Sequence, residues 1–143
     1  MKSIQKITVI LFALLITISC SKNDDSSECT SCIYTIATGE TEGTAASSLD
    51  GVYNLTMHFP DAASPFTEGT KGTFTINNNI LTVKIEGNEC ITIKNPILTT
   101  AGSTEVKFKD TCRDEITYDV SMTNSGDLNE INISDLSGKW LGQ

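Results

Sequence analysis

The sequence predicts an all-β domain: a small antiparallel meander barrel of seven or eight strands, with a two-sheet β-sandwich as the alternative. Three observations lead there. Apolar residues recur with period two, the mark of strands with one buried face. Short clusters of turn-forming residues separate the runs. No stretch of useful length carries helical periodicity.

The runs follow one another in order. Tyr53, Leu55, Met57 and Phe59 alternate with Asn54, Thr56 and His58, and Phe74 and Ile76 alternate with Thr73 and Thr75. Leu81, Val83 and Ile85 alternate with Thr82, Lys84 and Glu86, and Ile91 and Ile93 with Thr92 and Lys94. Val106 and Phe108 are flanked by Glu105, Lys107 and Lys109. Ile116, Tyr118, Val120 and Met122 alternate with Thr117, Asp119 and Ser121, and Ile131 and Ile133 with Asn132 and Ser134. Ile97-Leu98-Thr99 adds a further short strand.

Between the runs lie Asn77-Asn78-Asn79, Glu86-Gly87-Asn88-Glu89, Ala101-Gly102-Ser103 and Asn124-Ser125-Gly126-Asp127. Asn and Gly accept positive φ, so these are hairpin turns joining antiparallel neighbours. One connection is long, residues 60–72, carrying Pro65, Phe66, Gly69 and Gly72. A one-faced sheet must bury its apolar side, and closing into a barrel does so while removing exposed edges. At about eight strands a barrel interior is just filled by side chains.

The first stretch has another purpose. Lys2 and Lys6 precede an apolar run, residues 7–18, interrupted only by Thr8 and Thr17. It is too short to span a bilayer, which needs ~20 apolar residues, and reads as a signal peptide. Its end, Thr17-Ile18-Ser19-Cys20, resembles the lipobox of bacterial lipoproteins, with Thr17 where Leu is usual. The resemblance implies cleavage before Cys20 and lipid on that cysteine. Ser21-Lys22-Asn23-Asp24-Asp25 resembles the surface-export signal of Bacteroidota lipoproteins, which implies an outer-membrane protein exposed at the cell surface. The expected organisation is a leader over 1–19, a lipidated cysteine and flexible tether over 20–48, and a folded domain over 49–143. The chain carries 10 basic and 18 acidic side chains, net −8, and loss of Lys2 and Lys6 with the leader makes the mature chain −10. Such a surface repels nucleic acid and anionic lipid. The expected membrane link is therefore the lipid, and no nucleic-acid partner is expected.

Beyond Cys20 four cysteines remain: Cys29, Cys32, Cys90 and Cys112. An even number in an exported chain suggests disulfides, and four cysteines allow three pairings. The simplest is Cys29–Cys32 with Cys90–Cys112. Cys29-Thr30-Ser31-Cys32 is also a CxxC. A redox role wants a helix N-terminus behind it, and zinc wants two more close ligands. Acidic residues precede this motif and no helical pattern follows, which favours a structural disulfide.

Leu49-Asp50-Gly51-Val52-Tyr53-Asn54-Leu55 resembles the opening of lipocalin-like domains, with Tyr53 where Trp is usual. The 60–72 connection falls where lipocalins place their large first loop, and Ser137-Gly138-Lys139-Trp140-Leu141 is similar to the closing segment of small bacterial relatives. The resemblance implies a barrel that takes a small apolar ligand. Phe59 and Phe66, with His58 beside them, are the groups near the long loop that would meet it. Phe66 acting as a plug for the barrel end is the equal alternative. Ordinary core is the expectation for Tyr53, Met57, Phe74, Phe108 and Tyr118.

Groups that would converge for catalysis are not evident, so the expectation is a non-enzymatic protein without catalytic residues, metal or cofactor. His58 alternates onto the polar face of its strand. Asp110, Asp114 and Glu115 flank Cys112 and read as a solvated hairpin tip rather than a calcium loop. Two function classes stand foremost. One is a surface module binding a small apolar ligand; the other is an accessory lipoprotein contacting another envelope protein. An enzyme ranks below both.

Overall fold

The structure, a computed structural model, describes residues 28–113, 115–134 and 136–142. The leader, Cys20 and the first part of the tether lie outside the described residues, as does Asp114. The fold is all-β. Ten strands form one curled, half-barrel sheet: β1 (Thr30–Ile33), β2 (Gly51–His58), β3 (Lys71–Asn77), β4 (Ile80–Ile85), β5 (Ile91–Lys94), β6 (Ile97–Leu98), β7 (Val106–Asp110), β8 (Ile116–Met122), β9 (Leu128–Ile133) and β10 (Lys139–Gly142). A single 3-10 turn, Ser47–Leu49, precedes β2.

The sheet order is β1-β5-β4-β3-β2-β10-β9-β8-β7-β6. Two meanders, β2 to β5 and β7 to β10, are joined where β10 pairs antiparallel with β2, Trp140 opposite Met57. Their hairpins use the expected turn chemistry: Asn78 and Asn79 hold φ of 48° and 63° between β3 and β4. The sheet bends far enough to bring β5 against β7. Alternation then sends one face inward. Leu55, Met57, Phe74, Ile76, Leu81, Val83, Ile85, Ile91, Ile93, Val106, Phe108, Ile116, Tyr118, Val120, Ile131 and Ile133 are all buried. Gly72 takes one inward position so that the Trp140 ring can lie against it. A Cβ there would stand 2.8 Å from Phe74 and 3.2 Å from Trp140.

Ten strands replace the expected seven or eight, and the additions come from two places. β10 was hidden because Lys139-Trp140-Leu141-Gly142 is too short to show an alternation. β1 lies in residues assigned to a tether. That boundary at 48/49 is corrected: β1 runs parallel to β5, Thr30 opposite Ile91 and Ile33 opposite Lys94. Tyr34, Gly43 and Ala45 are buried, and Glu42 bridges to Ile97. The small polar residues here build a covering strap rather than a loose linker, because backbone pairing with β5 and β6 orders them from outside their own segment.

The favoured disulfide pairing is also corrected. Cys29 bonds Cys90, and Cys32 bonds Cys112. The parallel register explains the first: with Thr30 opposite Ile91, the preceding residues Cys29 and Cys90 meet, and Thr30 N–H donates to Cys90 O at 3.0 Å. Cys32 then points into the core, fully buried, where the β7–β8 turn arrives with Cys112.

Candidate functional site

The long connection is set between β2 and β3. Its base is closed by backbone pairs, Met57 N–H to Thr70 O at 2.9 Å and Gly69 N–H to Met57 O at 3.0 Å. Asp61 ties it to the segment before β10. Its Oδ2 accepts the Ser137 N–H at 3.2 Å, its Oδ1 the Ala63 N–H at 2.9 Å, and its own N–H donates to Ser137 O at 3.3 Å. These amide donors, Ser137 first, hold the Asp61 carboxyl below its ordinary pKa, because they stabilise its charged form.

Within this frame the two loop phenylalanines go opposite ways. Phe66 is buried and packs its edge against Trp140, ring centroids 5.4 Å apart at 66°. Trp140 in turn meets Phe74 at 5.0 Å, and Phe74 meets Tyr118 at 6.1 Å. The plug reading of Phe66 is thus what the packing shows. Phe59, by contrast, is 70% exposed. The alternation of β2 places it inward with Leu55 and Met57, and this expectation is corrected by the backbone. At φ 57° the chain leaves the strand and swings the ring outward.

A bulky residue in the left-handed region is strained by about 1–3 kcal/mol and needs its surroundings to hold it there. Glu68 provides that hold. Its Oε2 accepts the Phe59 N–H at 2.7 Å, and its Oε1 lies 3.0 Å from His58 Nδ1. The His58 and Phe59 rings stand 5.9 Å apart. The arrangement can present one large apolar ring to solvent, beside an imidazole and the Glu68 carboxylate, on a rim whose backbone is pinned at both ends. Chain comparison against family models, curated proteins and solved structures finds no match.

Two polar constellations escaped the sequence reading. Lys109 Nζ donates to Glu40 Oε1 at 2.5 Å and to the Tyr34 hydroxyl at 3.2 Å, and sits 5.0 Å over the Tyr34 ring. The Tyr34 hydroxyl itself donates to Glu40 at 2.6 Å. The Lys109 hydrogen bond, then that of Tyr34, lowers Glu40 to about 2, and Glu40 in turn raises Lys109. Sequence could not pair groups that far apart.

The other constellation is Asp110, expected in a solvated tip and in fact wholly buried. It accepts the Cys112 and Arg113 N–H groups and the Arg113 guanidinium, which also donates to Glu89 O at 2.6 Å. Here a signal existed: Asp110 continues the inward parity of Val106 and Phe108. Glu115 does lie exposed, as expected of a tip.

Proposed function

We propose that the protein is an outer-membrane lipoprotein, anchored through lipid on Cys20 and exposed at the cell surface, whose β domain is a non-enzymatic contact module. In this reading it engages another envelope protein through the β2–β3 rim. The observation that carries it is the contrast between Phe66 and Phe59. The first fills the interior, and the second is held in water at a conformational cost. A contact made elsewhere would not need that cost.

The partner surface that fits is an apolar pocket for one ring with basic side chains around it, since Glu68 lies beside Phe59 and the mature chain carries net charge −10. We read the curled sheet as a lipocalin-like barrel extended by strands at both edges. A small apolar ligand inside it is the other reading, and against it stands the Phe66, Trp140, Phe74 and Tyr118 stack, which occupies the space such a ligand would take.

The test replaces Phe59 with a photoreactive phenylalanine analogue in the producing cell, with Asn88 as an exposed control position. One discrete protein adduct from position 59, not formed from position 88, is the expected result. Equal adducts from both positions overturn the rim as the contact. So does a saturable shift of the sole tryptophan, Trp140, on titration with a fatty acid, because that places a ligand inside.

A further inference from the structure

Successive connections of an antiparallel meander alternate between its two ends. At one end lie the β2–β3 connection with Phe59, the β4–β5 turn, the β7–β8 turn and the segment between β9 and β10. Contacts tie these four to one another in pairs. Asp61 of the first accepts the Ser137 N–H of the last at 3.2 Å, and Arg113 of the third donates to Glu89 O of the second at 2.6 Å.

β1 runs parallel to β5, so it begins where β5 begins, at that same end. The Cys29–Cys90 bond fixes its start to the β4–β5 turn. The chain therefore enters the domain at the end that displays the Phe59 ring.

The stretch from Cys20 limits how far that end can stand from a lipid on Cys20. From Cys20 to Cys29 is nine residue steps, which span at most about 30 Å. Peeling β1 adds nothing to this reach, because Cys29 is itself bonded into the sheet. Turning the opposite end toward the membrane would lift Cys29 by the length of β2, eight residues or about 27 Å, and would consume nearly all of it. The rim thus faces the membrane side.

Charge narrows what can meet the ring there. The segments at this end expose Glu28, Asp61, Glu68, Glu86, Glu89 and Glu115. Among their described residues the one Lys or Arg, Arg113, closes on the buried Asp110. Anionic headgroups repel such an end, whereas Lys and Arg side chains of a protein complement it.

We propose, on the basis of the lipid anchor and the rim contact described above, that the partner of the Phe59 rim is a protein embedded in the same membrane as the lipid of Cys20. It presents an apolar pocket and basic side chains close above the bilayer, at a height set by the reach of the tether. A soluble protein would have to enter between the domain and the lipid. A protein that rises from the same bilayer already stands there.

The experiment keeps the full chain in the producing cell, with the photoreactive phenylalanine analogue at position 59. The control position is the exposed Asn124, in the β8–β9 turn at the opposite end. The protein in the adduct is identified by mass spectrometry, and its uncrosslinked pool is tested for extraction from membranes by alkaline carbonate. A second chain carries a spacer of about forty Gly and Ser residues after Ser27, which dilutes the rim near the bilayer about tenfold. The spacer lies ahead of the described fold, and an equal unfolding midpoint checks that the fold is kept.

The expected result is an adduct from position 59 and none from position 124, a partner that resists carbonate, and a yield about tenfold lower with the spacer. A partner washed off by carbonate, or a yield undiminished by the spacer, overturns the membrane-embedded partner and leaves the rim contact standing. Lipid in place of protein in the adduct overturns it in favour of the bilayer itself. No adduct from position 59 of the native chain overturns the rim contact, and the embedded partner with it.

Discussion

Cys32 and Cys112 stand 80 positions apart and are joined through sulfur, one on the outermost strand of the sheet and the other at the β7–β8 turn. The bond links β1, at one end of the strand order, to a turn near the other end. What hydrogen bonding leaves open, a covalent strut holds. Cys29–Cys90 fixes the same strand to its neighbour.

Peptide mapping without reduction is expected to recover Cys29 with Cys90 and Cys32 with Cys112. A Cys29–Cys32 peptide would contradict the parallel register of β1. Removing the longer bridge with Cys32→Ala and Cys112→Ala together is expected to lower stability by roughly 2–5 kcal/mol in urea unfolding, since the loop it closes is long.

The two loop phenylalanines are expected to respond in opposite senses. Phe66→Ala leaves a cavity against Trp140 and is expected to cost about 3–5 kcal/mol, with a changed Trp140 emission. Phe59→Gly releases a left-handed backbone from its side chain and is expected to leave stability unchanged or raise it by about 1 kcal/mol. Equal destabilisation by both would mean that Phe59 packs as core.

Acid is expected to loosen the strap before the sheet. Glu40 has an ordinary value of 4.5 and is held at about 2, so its contribution is present above pH 4.5 and is lost as pH falls toward 2. Lys109 is raised from 10.5, so its share is present below that value and is lost only above it. The protection factor of the Glu40 amide, whose N–H donates to Ala37 O at 3.1 Å, should fall across the acid window once intrinsic exchange is divided out. Lys109→Met should show the reduced protection already at neutral pH.

Asp110 is expected to be the most sensitive charged position. Its carboxylate is buried and holds a guanidinium and two amides, so Asp110→Ala leaves those donors without an acceptor. A loss of about 3–5 kcal/mol in urea unfolding is expected. A change within 0.5 kcal/mol, roughly the surface range, would show that the Arg113 contact is incidental.

The strands from Tyr53 to Ile133 were legible because alternation is a local property. One buried face imposes it on every residue in turn, as in Leu81, Val83 and Ile85. The failures came where local pattern and tertiary context part. β1 owes its order to β5, some sixty residues away, so by composition residues 20–48 read as a tether. Phe59 obeys the alternation in sequence and breaks it in space, because one dihedral turns the chain. Of the rim, His58, Phe59 and Phe66 were legible as a group. Their division into a plug and an exposed ring depends on packing against Trp140, which no spacing along the chain reveals.

The disulfide arrangement also sets a path for mechanical load. A pull on the chain from its N-terminal side reaches Cys29 and Cys32 first and passes through the Cys32–Cys112 bond, while Cys29–Cys90 lies on a longer, slack branch. Residues between Cys32 and Cys112 are bypassed and bear no tension. Only the chain beyond Cys112 can be drawn out, ~100 Å at full extension, against ~400 Å without the bridges. If the domain hangs from its N-terminus, drag tugs on the Cys32–Cys112 bond rather than on the four-residue ladder of β1, and the strand nearest the anchor is the last to peel.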